Sequence, residues 1–257
     1  MERPTTFRLP NDSVRYLLWQ RADYRSPLVK GLMAFLHKSG GGNTLKSIYM
    51  KHIAGSWLET MRRRSIADYY FSEMATIIAT MRPHLPNTCE RILDIGCGLG
   101  GIDALLFHEY HPDDKPVELW MLDKNDDSPL YGRHYVGFEN VPAAYNSLEI
   151  TRHFLESNGV PRSAIRLIDI GQDSFPRDHT FDVVVSLLAW GFHFPVDTYL
   201  RDVSHSLREG GTLFIDIRDN TDGIRKLESV FRDVDILAVG EKHRLAVARN
   251  RFRNHYD

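Results

Sequence analysis

Apolar and polar residues change their rhythm near Asn87. Before it, apolar positions recur at helical spacing: Ile48, Ile53, Trp57 and Met61 on one stretch, then Ile66, Tyr69, Tyr70, Met74, Ile77, Ile78 and Met81 on the next. Two shorter helices are predicted over "SVRYLLWQRA" and "SPLVKGLMAFLHKSGGG", the second ended by its glycines, and Pro83 and Pro86 close the region. After Asn87, short apolar runs alternate with amphipathic ones. Strands are predicted over "RILDIG", "VELWMLD", "IRLIDI", "FDVVVSLL" and "TLFIDIR", with helices over "GIDALLFHEY", "AAYNSLEITRHFLESNG", "VDTYLRDVSHSLREGG" and "DGIRKLESVFR". The final pair, "VDILAVG" and "RLAVARN", is separated by three residues only. So short a link holds no crossover, so these two strands pair antiparallel. The pattern predicts an α/β fold: a doubly wound, seven-stranded, mostly parallel sheet with an antiparallel last strand, behind an N-terminal helical region. The expected division is a helical lid or substrate region over 1–87 and a Rossmann-like domain over 88–257.

Composition narrows the setting. Apolar residues make up 42% of the 257, enough for a core, and the formal net charge of -2 gives no general basic excess for a polyanion. The two cysteines, Cys89 and Cys97, do not make a disulfide framework. No apolar run reaches the roughly 18–20 residues that span a bilayer. The expectation is a cytoplasmic protein without membrane insertion.

The first strand runs into "DIGCGLGG", in which Gly96, Gly98 and Gly101 fit G-x-G-x-x-G. That turn commonly cradles a dinucleotide pyrophosphate, which needs bare amide N–H groups. Asp94 stands two residues before the first glycine and opposes a phosphate; it favours a ligand that carries positive charge. Asp123, ending the next strand, suits the hydroxyls of a ribose. A nicotinamide dinucleotide therefore fits less well than a cationic nucleoside without phosphate.

"LDIGCGLG", the acidic end of "LWMLD", the "IDI" at Ile168 to Ile170 and "FDVVVS…LREGGTLFIDIR" together resemble the class I (Rossmann-like) S-adenosylmethionine-dependent methyltransferases, over Arg91 to about Phe252. The terminal hairpin is similar to that family's last strands. The resemblance implies S-adenosylmethionine as cofactor. It implies that the backbone at Gly96 and Gly98 approaches the methionine part, with Asp94 near its cation. Asp123 would hold the ribose, Asp169 and the Ile170 backbone the adenine, and Ser186 with Leu187 would border the methyl group. Asp103 reads as a helix-surface residue.

Methyl transfer from a sulfonium is an in-line displacement, so the protein mainly aligns the nucleophile and excludes water. "SLLAWGFHFPVDTYL" follows the fourth strand, where an acceptor would meet the methyl group. His193 there is the candidate base for a hydroxyl, and Trp190 and Phe192 are candidates to contact substrate. The N/D-P-P-Y/F signature of amino-methyltransferases is absent after this strand. No acidic cluster remains to hold a metal once Asp123 and Asp169 are assigned to the cofactor. The long segment 124–142 supplies Tyr131 and Arg133 as further substrate contacts.

The resulting expectation is O-methylation of a small molecule, a sugar, glycan precursor or natural-product hydroxyl. The helical front end would act as a lid, a homodimer contact or both. Two other readings stand beside it. One is an RNA or protein methyltransferase docking through the helices and the basic run Arg62 to Arg64, although nucleic acid is not the expected partner. The other is a non-catalytic nucleoside-binding scaffold.

Overall fold

The computed structural model describes residues 4–20, 24, 31, 60–110, 117–125 and 146–252. The helices predicted between residues 27 and 58, and most of the 124–142 segment with Tyr131 and Arg133, lie outside them.

Among the described residues there are eight strands, seven of which form one sheet. In chain order the strands are β1 (Arg91–Ile95), β2 (Glu118–Asp123), β3 (Ile165–Asp169), β4 (Phe181–Ser186), β5 (Ala189–Phe194), β6 (Leu207–Arg218), β7 (Phe231–Val239) and β8 (His243–Arg251). The spatial order is β3-β2-β1-β4-β6-β8-β7, with β5 outside it. The pairs from β3 across to β6 are parallel, and β8 runs antiparallel to both β6 and β7. The expected doubly wound sheet with an antiparallel last strand is therefore present.

Alternation along the central strands builds the two faces. Ile92, Val183, Val185, Phe214 and Val247 point into one core with the N-terminal helices; Leu93, Ile95, Val184, Leu213, Ile215 and Ala246 point into the other. The first core is covered by α1 (Asn11–Gln20), α2 (Arg63–Met81), α3 (Gly101–Tyr110) and α4 (Leu148–Ser157). The second is covered by α5 (Leu200–Ser206), α6 (Gly223–Glu228) and the segment around Trp190. Each fully buried Phe or Leu side chain here contributes about 1.5–3 kcal/mol relative to exposure.

Three expectations need correction. "LREGG" is not the end of a helix: β6 already begins at Leu207. An irregular register against β4 between Phe181 and Val183 absorbs the bend, and Gly210 takes φ +77°. "DGIRKLESVFR" is helical only to Glu228, and Phe231 already opens β7. "AWGFHF", for which no strand is predicted, is the extended strand β5.

Candidate active site

The carboxyl ends of β1, β2 and β4 meet at the point where the strand order reverses, the place where open α/β sheets bind ligands. The glycine loop between β1 and α3 is held by hydrogen bonds that leave its shape little freedom. Gly96 N–H donates to the Leu122 carbonyl at 2.7 Å, and Gly98 N–H donates to Asp123 Oδ2 at 2.9 Å. Gly96 has φ +78°, and a Cβ there would lie 2.2 Å from the Ala189 Cβ, so only glycine fits beneath the β4–β5 turn.

The helix N-terminus behind the loop is already committed. Gly101 N–H donates to the Tyr70 hydroxyl at 2.9 Å, and a Cβ on Gly101 would strike that ring. A pyrophosphate needs these amides bare. Here Tyr70 and Asp123 take two of them.

Asp123 is the hub. Its Oδ2 also accepts from Asn146 Nδ2 at 2.9 Å, while Oδ1 accepts the Lys124 N–H at 2.7 Å. Burial raises its pKa, opposed by these donors. Asn146 Nδ2 and the Thr151 hydroxyl both donate to the Gly98 carbonyl, at 2.9 and 2.5 Å, tying α4 to the loop. Gln20, at the end of α1, packs against Gly98 and donates to Asn146 Oδ1 at 3.4 Å.

Beneath the loop lies a buried carboxyl pair. Asp94 is 3% exposed and Asp103 is 0% exposed. Asp103 is therefore not a helix-surface residue, because α3 is buried from Gly101 to His108. Among the described residues neither Asp103 oxygen nor Asp94 Oδ1 has a hydrogen-bond partner of good geometry. The two carboxyls face each other, and a proton shared between them supplies the missing donor. Burial, then the Asp103 charge, raises the Asp94 pKa well above the carboxylate range; burial raises that of Asp103 to about 6. Near neutral pH the pair thus retains negative charge under the loop.

Asp169 lies beside Asp123 in the β2/β3 register. Its Oδ1 accepts the Asn125 and Gly171 N–H groups at 3.1 and 3.0 Å, and Ile170 N–H donates to the Asp123 carbonyl at 3.0 Å. The four positions Asp94, Gly96, Gly98 and Asp123 thus come together, with Asp169 and Ile170 adjoining them.

Two of the expected contacts are packed inside the fold. Ser186 is fully buried; its hydroxyl donates to the Ile95 carbonyl at 2.7 Å and accepts the Trp190 N–H at 3.0 Å. It clamps the β4–β5 turn rather than bordering a reacting group. Trp190 is 1% exposed, and its indole N–H donates to the Val196 carbonyl at 2.8 Å. It is a core residue, not a substrate contact.

His193 and Phe192 end β5 near the carboxyl end of β6. Burial, then the Arg218 charge, lowers the His193 pKa to about 4, so its imidazole is neutral at ordinary pH. Tyr199 stacks on Phe175 at 5.7 Å, and burial, then the Asp123 charge, raises its pKa. The sequence patterns offer Tyr70 only as a candidate to cover the cofactor; Asp103, Asn146, Tyr199 and Arg218 are not marked as site residues by them, because their roles come from packing between distant segments. Among the described residues no group of His, Cys, Asp or Glu is arranged to hold a metal ion, and no helix is long and apolar enough to cross a membrane.

No family model matches the chain, and no curated protein matches it. Solved structures similar to it include a 16S rRNA methyltransferase of T. thermophilus in complex with AdoMet and guanosine, at 14% identity and TM-score 0.47; it covers 69% of this chain and 43% of that one, less than half its length. A putative O-methyltransferase from Nostoc punctiforme is 14% identical, with TM-score 0.49, covering 92% of this chain and 72% of that one. A precorrin-6y methyltransferase from Geobacter metallireducens is 14% identical, with TM-score 0.47, over 70% and 88%. The order of the seven strands, with β8 inserted antiparallel between β6 and β7, makes this a doubly wound, Rossmann-like sheet.

Proposed function

We propose that this chain is an S-adenosylmethionine-dependent methyltransferase that methylates a hydroxyl of a small-molecule acceptor. The observation that carries the reading is the state of the glycine loop. Its Gly98 and Gly101 amides are taken by Asp123 and Tyr70, and a charged carboxyl pair lies beneath it. Such a loop disfavours a pyrophosphate and favours a cationic nucleoside. The residues present fit that group: Asp123 Oδ1 has acceptor capacity for a ribose hydroxyl, and Asp94 with Asp103 supplies negative charge near the loop. Asp169 and the Ile170 backbone adjoin this position for the base.

When bound, the cofactor supplies an activated methyl group and its own leaving group. The chain holds the acceptor oxygen in line and keeps water out. His193, in its neutral form, accepts the hydroxyl proton at a ring nitrogen. An imidazole of pKa about 4 is a weak base. The oxygen turns strongly acidic as it bonds to carbon, so a weak base suffices late in the step. Phe192 lines the same end of β5 as an apolar wall for the acceptor.

Calorimetric titration with S-adenosylhomocysteine, beside NADH, tests the reading. Wild-type protein is expected to bind the former, and Asp123→Ala to bind it about tenfold or more weakly. His193→Gln is expected to lower turnover while leaving that affinity unchanged. Binding of NADH instead, or of neither compound, overturns the proposal.

A further inference from the structure

The carboxyl end of β6 carries a charged group that methyl transfer, as derived above, does not use. Arg218 is part-buried there, its Cζ 4.7 Å from the centre of the Phe192 ring. Its Nη1 is shielded from water and meets no hydrogen-bond acceptor. Among the described residues the guanidinium forms no ion pair, although two carboxylates lie close in sequence. Each of those is turned elsewhere. Asp216 Oδ2 accepts the Leu188 N–H at 3.0 Å, and its Oδ1 lies 3.6 Å from His243 Nε2. Asp219 Oδ1 lies 3.2 Å from Arg244 Nε.

A shielded guanidinium N–H without an acceptor is uncommon in a folded protein, because desolvation is uncompensated. The planar fork of an arginine matches an oxyanion in two-point fashion. Three features therefore converge on one place: a cation without a counter-charge among the described residues, a flat apolar ring under it, and the candidate base His193, its ring 4.8 Å from that of Phe192. All three stand at the carboxyl side of the sheet, where the acceptor must enter.

We propose that Arg218 anchors an oxyanion group, a carboxylate or a phosphate, of the acceptor molecule. The acceptor's ring or chain lies on Phe192, and its hydroxyl is presented toward His193. The substrate class is thus a hydroxylated acid or phosphate ester, not a neutral alcohol. That Arg218 binds an oxyanion rests on its own geometry; that the oxyanion belongs to a methyl acceptor rests on the function proposed above.

The test uses the whole chain, with and without saturating S-adenosylhomocysteine. The probes are 4-hydroxybenzoate, phenyl phosphate and the neutral 4-hydroxybenzamide, followed by calorimetry and NMR. At least one of the two anions is expected to bind, and the one that binds better identifies the oxyanion. The amide is expected to bind about tenfold or more weakly. Arg218→Gln is expected to lose about tenfold or more in anion affinity, and Arg218→Lys to lose less. Thermal unfolding establishes that each variant is folded; if Arg218→Gln is not, the Arg218→Lys loss decides. Equal binding of amide and anions, no anion binding by the wild type, or wild-type affinity in the variants overturns the anchor. Arg218-dependent anion binding in a protein that ignores S-adenosylhomocysteine keeps the anchor and overturns the methyl-transfer reading instead.

Discussion

Burial makes a carboxyl hold on to its proton, and Asp103, fully buried against Asp94, is in that position. Its folded pKa of about 6 lies above the ordinary 3.8. The folded state then binds more protons than the unfolded state between these values, so stability falls as pH rises through them. Below about pH 4 both states are protonated and the penalty vanishes; above about pH 6 it is complete, on the order of 3 kcal/mol. Asp103→Asn removes this dependence. Its stability relative to wild type is expected to grow by about 3 kcal/mol from pH 4 to pH 7, read from urea midpoints. Parallel curves for the two proteins would sink the shared-proton account. The sequence reading placed Asp103 on the helix surface, against a signal that the segment itself carries. "GIDALLFHEY" is apolar nearly all round, which marks a fully buried helix, so its one aspartate near the start had to be inside. Tyr70 was not legible as a partner of Gly101, since 31 residues separate them and only α2 packing on α3 brings them together.

At the scale of elements, the β4–β5 turn is the part that sequence patterns misjudged. Trp190 and Phe192 read as candidate substrate contacts. Their alternation with Gly191 and His193 is also that of a strand. Ser186 decides the geometry: its hydroxyl joins the end of β1 to the start of β5. Leu188 is held at φ +54° with its N–H on Asp216, a conformation few non-glycine residues adopt. Ser186→Ala removes the acceptor of the Trp190 N–H and is expected to cost about 2 kcal/mol. Amide exchange at Trp190 should quicken more than exchange at Val184, in the middle of β4. An unchanged unfolding midpoint together with unchanged Trp190 exchange would show that the turn does not depend on this clamp. The glycine loop, by contrast, was readable to the residue, because positive φ and close approach select glycine directly.

For the whole molecule, the alternation of apolar runs and helices was enough to predict the sheet, since each βα unit carries its own pattern. The position of β8 between β6 and β7 was not readable from the hairpin alone, which pairs equally well on the outside. Burial distinguishes the two strands. Leu245 to Ala248 of β8 are buried, whereas Arg232, Asp233, Asp235 and Ile236 of β7 are exposed. As the sheet's edge, β7 carries two aspartates and a register irregularity between Ile236 and Ala238, devices that discourage pairing with other chains. Replacing Asp233 and Asp235 together by Val is expected to change equilibrium stability by less than about 1 kcal/mol, as their partners Asn250 and Arg249 are exposed or screened. Refolding of that variant at micromolar concentration should scatter light where wild type stays clear. Clean refolding would remove the edge-protection role.

The insertion of β8 also sets an order in time. A ribosome delivers β7 before β8, so the newly made chain holds a complete strand whose neighbour does not yet exist. The open flank of β6, backed by Leu213, Phe214 and Ile215, must wait as well. β8 folds back on β7 through a short turn, and closure comes when that hairpin docks its β8 side against β6. During that interval the charges of β7 serve a nascent chain rather than a finished one: they keep it from finding its missing neighbour in another molecule.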